Sequence, residues 1–159
     1  MHRLLFGAVA PLFLVSTALA NSDVPLDCQE GPSAEWPAIT VVHFDTGKTA
    51  IRPSDAHFLD ELAARLAGNS GVQVCILGQA DKQGGEEKNR KLSLARAEAV
   101  GQYLAARGVP KQQHLYGWRG EAFGGSDVFG LFDGDEAEGE QKDRRVEVFV
   151  VGYGQQGKD

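Results

Sequence analysis

Apolar positions recur along the chain with two different periods, and the changes between them mark out the elements. The run Ile39-Thr40-Val41-Val42-His43-Phe44 is rich in β-formers and predicts a strand over 38–44. Phe58, Leu59, Leu62, Ala63 and Leu66 then fall on one side of a helix from Asp55 to about Ala67, with Ser54 after Pro53 as the expected N-cap and Gly68-Asn69 as the stop. Val72, Val74 and Ile76 alternate with Gln73, Cys75 and Leu77, predicting a second strand over 72–77. Only one residue of the second set is polar, so both faces of this strand are expected to be covered. Gly78 to Lys88 reads as a polar loop, and Asn89 is placed to cap a second helix that runs to about Arg107 and stops at Gly108. Leu115 to Trp118 predicts a short third strand, 119–140 a Gly-rich acidic loop, and Arg145 to Val151, with alternating Val146, Val148 and Val150, a last strand.

The order β-α-β-α-β-loop-β predicts an α+β fold, a two-layer sandwich with a mixed four-stranded sheet and both helices on one face. Residues 38–153 are expected to form one domain, preceded by an extended segment over 21–37 rich in Pro, Gly, Ser and acids and followed by a tail over 154–159.

Residues 1–20 carry a weakly charged start at His2 and Arg3, an apolar stretch from Leu4 to Val15, and small residues at Ala18-Leu19-Ala20, the pattern of a cleaved secretory signal. An uncleaved anchor is the competing reading, set against the Pro11 interruption and the shortness of the stretch. No later stretch has the length of a transmembrane helix, so the mature chain is expected to be soluble. The chain has 16 Lys and Arg against 22 Asp and Glu, a net charge of −6, which argues against general affinity for nucleic acid or anionic membrane. Any anionic ligand must be gripped locally. After export, Cys28 and Cys75 are expected to pair, tying the N-terminal segment to the second strand, with a buried free thiol at Cys75 as the alternative.

Chemistry-bearing residues concentrate in Gly78-Gln79-Ala80-Asp81, in Asn89-Arg90-Lys91-Leu92-Ser93-Leu94-Ala95-Arg96-Ala97, and in Arg144-Arg145 at the start of the last strand. These stretches resemble the signature of OmpA-like C-terminal domains, a G-x-x-D loop after a strand followed by N-x-x-L-S-x-x-R-A opening a helix. Such domains occur in outer-membrane porin tails, peptidoglycan-associated lipoproteins and flagellar stator subunits. Phe44-Asp45 with Ile51, a turn over Gly117 to Glu121, and Arg144-Arg145-Val146-Glu147 extend the likeness to roughly 110 residues.

The resemblance implies a non-enzymatic module of the periplasm, associated with the outer membrane, that binds peptidoglycan by the diaminopimelate side chain of the stem peptide and needs no cofactor or metal. It carries Asp81 and Arg96 onto the two gripping positions, with Asn89 at the edge, Arg144 approaching from the last strand and Asp45, Thr46 and Gly47 as the opposing lip. Diaminopimelate bears an ammonium and a carboxylate on one carbon, so a fixed carboxylate can take the first and a guanidinium the second. A zwitterionic ligand also suits an acidic protein. For Asn89 a helix cap is the alternative role.

Gln79-Ala80 stands where the family usually has His-Thr, and Asp143 where it usually has Asn. Asp143 is placed to pair with Arg144 or to repel a ligand carboxylate. These departures motivate a second reading, a periplasmic protein-interaction domain that uses the acidic loop over 127–140 on an outer-membrane or periplasmic partner. A hydrolase is a third, disfavoured by the lack of G-x-S-x-G, H-E-x-x-H or a cysteine with a suitable histidine.

Overall fold

Pro53 opens the first helix. In the computed structural model, which describes residues 23–81, 85–121 and 141–152, helix α1 spans Pro53–Leu66 and Arg52 is its N-cap residue. Ser54 is therefore inside the helix, two positions beyond the cap it was expected to be. The fixed φ of proline suits the first helical position, where its missing N–H costs nothing. The work of fastening this end falls to Asp55, whose Oδ2 accepts from the His43 N–H at 3.0 Å and from Arg52 Nη2 at 3.1 Å.

Helix α2 spans Glu86–Ala105 with Gly85 at its N-cap. Asn89 is thus in the first turns of the helix and does not cap it. Glu86 and Glu87 place negative charge where the helix dipole favours it, which supports the earlier start.

The four strands are β1 (Ile39–His43), β2 (Gln73–Ala80), β3 (His114–Glu121) and β4 (Arg145–Val151), in the order β1-β4-β2-β3. β4 lies antiparallel to both neighbours, while β3 runs parallel to β2. The sheet is mixed and both helices cover one face, as expected. Two strands are longer than their apolar patterns, because Gly78, Gln79 and Ala80 pair across to β4 and β3 although the sequence reads as loop there. Gly117 to Glu121 is likewise strand and not turn. Gly78 has a steric role: a Cβ there would sit 2.2 Å from the Ser93 carbonyl oxygen, so glycine lets α2 approach the sheet closely.

The helix-side core unites Leu59, Leu62 and Leu66 of α1, Val100 and Leu104 of α2, and Val42, Val74, Ile76, Val146 and Val148 of the sheet. On the opposite face Cys75, Leu77, Phe149 and Val151 are covered by the N-terminal segment. That segment is more than an extended lead-in. It makes a 3-10 turn at Leu26–Cys28, bridges Asp23 to Trp118, and donates from the Ser33 N–H to the Val150 carbonyl at 2.9 Å. Cys28 and Cys75 form a disulfide with 5.8 Å between their Cα atoms, so both cysteines belong to the buried second face. The expected secretory signal over 1–20, the expected acidic loop over 127–140 and the expected tail over 154–159 lie outside the described residues.

Candidate functional site

Strand register builds the site. His43 and Gln79 both stand opposite Arg145, so the residues that follow or precede them at this end of the sheet, Phe44, Asp81 and Arg144, converge. Arg144 donates from Nη1 to Asp81 Oδ2 at 3.0 Å and from Nε to the Phe44 carbonyl at 3.3 Å. The Phe44 N–H donates to the Arg144 carbonyl at 2.9 Å, which fixes the two backbones against each other. Asp81 is 6% exposed, and the side chains of the Arg144–Asp81 pair are 13% and 9% exposed.

Helix α2 lies over this point and contributes from one stripe. Asn89, Ser93, Arg96, Val100 and Leu104 are all buried at intervals of three or four residues. Asn89 Nδ2 donates to the Asp81 carbonyl at 3.1 Å, tying the loop that follows β2 to the helix. Arg96 is completely buried. Its Nε donates to the Lys48 carbonyl at 2.9 Å and its Nη2 to the Asp45 carbonyl at 3.1 Å, while its guanidinium carbon sits 5.3 Å from the centre of the Phe44 ring. Nη1 of Arg96 is buried and has no hydrogen-bond partner among the described residues.

The turn that receives Arg96 closes through a hydrogen bond from the Lys48 N–H to the Asp45 carbonyl at 3.0 Å. Gly47 is its third residue, with φ at +66°, a conformation that glycine reaches without the Cβ penalty. Asp45 enters the site by its carbonyl, and the residue itself is exposed, as are Thr46 and Gly47. These three residues form one wall of the site without aiming a charged group into it.

Burial pulls the Arg96 pKa below its ordinary value. The Asp81 carboxylate opposes that shift and the Arg144 guanidinium adds to it. Among the described residues the cluster is therefore a buried guanidinium, Arg96, and a part-buried one, Arg144, around the buried Asp81 carboxylate, an arrangement that favours an added anion.

All seven residues expected at the ligand site, Asp81, Arg96, Asn89, Arg144, Asp45, Thr46 and Gly47, are brought to this end of the sheet. Phe44 and the Lys48 carbonyl also belong to it. Backbone acceptors have no sequence signature, so Lys48 was not identifiable; Phe44 was visible as part of the first strand and of the family likeness, but not as a site residue. Asp143 Oδ1 lies 3.9 Å from Arg145 Nη1, on the side of the Arg145–Glu147 pair. Among the described residues no three metal-binding side chains are grouped, and no helix is long and apolar enough to cross a membrane.

Residues 43–128 match the OmpA family. The chain belongs to that family. It is similar to Outer membrane protein A of Serratia odorifera, 32% identical over 117 residues that cover 70% of this chain and 48% of the relative. It is also similar to the Peptidoglycan-binding protein ArfA of Mycobacterium bovis, 29% identical over 141 residues, 82% of this chain and 41% of the relative. The chain thus spans about half the length of the curated relatives it matches. Among solved structures, the peptidoglycan-associated lipoprotein of Burkholderia pseudomallei superposes with a TM-score of 0.59 at 26% identity, covering 70% of this chain and 89% of that one.

Proposed function

We propose that this OmpA-family domain binds peptidoglycan non-covalently through the diaminopimelate side chain of the stem peptide, and so anchors the outer envelope or a partner protein to the wall. The observation that carries the reading is the buried Arg96 guanidinium, with Nη1 unpartnered among the described residues, held in electrostatic contact with the buried Asp81 carboxylate. Asp81 supplies the seat for the ligand ammonium. Arg96 meets the ligand carboxylate, its plane set by the carbonyls of Asp45 and Lys48. Asn89 keeps the Asp81 loop in place. Two similar proteins, a peptidoglycan-binding protein and a peptidoglycan-associated lipoprotein, support the same reading.

The Cys28–Cys75 disulfide fits a chain exported to the oxidising periplasm. Each contact is modest, since a unit-charge pair at about 4 Å gains only about 4 kcal/mol at an effective dielectric of 20, much of it cancelled by desolvation. A wall with many identical stems supplies retention by rebinding.

The test is co-sedimentation of the mature protein with purified sacculi. Arg96 holds two backbone carbonyls, so truncation to alanine would loosen the turn as well as remove the charge, and Arg96→Lys and Asp81→Asn are the better variants. Each is expected to lose at least about tenfold in retention with thermal unfolding still cooperative, a tenfold loss being about 1.4 kcal/mol. Unchanged retention in both would remove the mechanism.

A further inference from the structure

Resting on that reading, we infer that Arg144 determines specificity: its guanidinium occupies the ammonium seat on Asp81 and yields it only to a ligand whose ammonium is accompanied by a carboxylate. The geometry is explicit. Arg144 Nη1 is 3.0 Å from Asp81 Oδ2, and Arg96, the other cation of the cluster, is held by carbonyls and has no carboxylate bonded to it in any described contact. Arg96 has no exposed surface, so a ligand reaches it only if part of its cover gives way, and among the described residues Arg144 is a charged neighbour and the 45–48 turn a hydrogen-bonded one. Of the two, Arg144 competes directly for the Asp81 carboxylate.

Consider the two kinds of incoming group. A lone ammonium, such as a lysine side chain, that takes Asp81 Oδ2 displaces Arg144 from a part-buried ion pair. It would leave the part-buried Arg144 guanidinium without its carboxylate, close to Arg96, and an uncompensated charge largely out of water is unfavourable. A diaminopimelate end brings its own replacement. Its ammonium takes Asp81 while its carboxylate lies between Arg96 Nη1 and the displaced Arg144, so that every charge again has an opposite neighbour. Partner exchange of this kind rejects the singly charged ligand through the cost of an unpaired cation, not through shape. The anchor that keeps Arg144 within reach is its second hydrogen bond, from Nε to the Phe44 carbonyl at 3.3 Å.

The experiment titrates the disulfide-bonded mature chain with two C-terminally amidated stem peptides that differ at one position, diaminopimelate in one and lysine in the other. The wild type is expected to prefer the diaminopimelate peptide by at least about tenfold. In Arg144→Gln the diaminopimelate affinity should fall and the lysine affinity should rise, so that the ratio narrows by about tenfold or more. A ratio equal to that of the wild type, or a parallel fall for both peptides, overturns the inference. As a measurement that needs no variant to fold, the Arg144 side-chain Nε–H resonance of the wild type should shift on addition of the diaminopimelate peptide and stay in place with the lysine peptide. Equal shifts with both peptides overturn it as well. Asp81→Asn separates the two levels. If it leaves diaminopimelate binding intact, the proposed wall-binding mechanism fails and the role of Arg144 falls with it. If it abolishes binding while Arg144→Gln keeps the wild-type ratio, only the specificity role is lost.

Discussion

On one face of the sheet, aliphatic side chains of two helices interlock with Val42, Val74, Ile76, Val146 and Val148. On the other, a segment without regular helix or strand crosses Cys75, Leu77, Phe149 and Val151 and is fastened by a disulfide and a few backbone hydrogen bonds. The first face holds itself by area and shape. The second covers less apolar surface, and it also buries charge, with Glu147 Oε1 accepting from Arg145 Nε at 2.9 Å and Glu147 Oε2 3.0 Å from Arg119 Nε. A cover with so few apolar contacts does not offset the conformational entropy of its own ordering, so a covalent tie is the expected supplement.

Removing that tie breaks the comparison most severely. The double variant Cys28→Ala with Cys75→Ala opens a separation of 47 residues, and the chain-entropy argument gives a loss of about 4 kcal/mol. Denaturant unfolding measures it. Amide exchange should quicken first at Asp23 and Ser33, whose N–H groups bond to Trp118 and Val150, while the α2 amides stay protected. An unchanged unfolding midpoint would mean that the segment is held by its noncovalent contacts alone.

Two glycines sharpen the same contrast. A Cβ at Gly78 would meet the Ser93 carbonyl oxygen at 2.2 Å, and one at Gly117 would meet the Asp23 carbonyl oxygen at 2.6 Å and Pro25 Cδ at 2.7 Å. The obstacle at Gly78 is the backbone of a packed helix. At Gly117 it is the irregular covering segment, which can shift, together with Leu77 Cδ2 at 2.9 Å. Gly78→Ala is therefore expected to cost about 3 kcal/mol and Gly117→Ala about 1 kcal/mol. Because α2 carries Asn89 and Arg96, Gly78→Ala should also weaken sacculus retention, whereas Gly117→Ala should not. The reverse order in thermal unfolding would show that the two covers are equally rigid.

The smallest effect is a pH dependence with one contributor on each face. By strand alternation His43 shares its face with Ile39 on the covered second side, and His114 shares its face with Tyr116, which packs at Gly101 of α2. Burial lowers the pKa of both below the ordinary 6.5, with Asp55 opposing the shift at His43. The unfolded chain therefore takes up protons first as pH falls. The stability due to neutral imidazoles is full above pH 6.5 and declines as pH drops through the interval down to the lowered folded values, where the loss levels off. His43→Gln and His114→Gln should each flatten that decline, and a stability curve unaltered by either substitution would remove these histidines as its cause.

How much of this was readable along the chain varies by element. The apolar periods of α1, β2 and β4 were clear because those elements bury one side or alternate strictly. Ser54 and Asn89 were misplaced as caps for one reason, since a good capping residue inside a helix is indistinguishable by type from one at its end, and Pro53 and Gly85 decided the actual starts. Gly78 to Ala80 reads as loop because its apolar content is low, and becomes strand only when β4 and β3 provide partners. The Asp81 and Arg96 positions were legible through their motif. That Arg144 sits on Asp81, and that carbonyls of Asp45 and Lys48 hold Arg96, were not.

By itself the amino-acid sequence determined which residues are apolar, at what period, and where glycine and proline interrupt them, and so the order of elements and the kind of fold. Side-chain type also settled which charges were present to form a site. Tertiary structure alone decided which charge faces which, because the register between strands distant in sequence places Phe44, Asp81 and Arg144 side by side. It also decided that a segment with no period of its own becomes the cover of a sheet. The physical reason is the same in both cases: backbone hydrogen bonding and burial depend on partners far along the chain, and a local pattern holds no record of them.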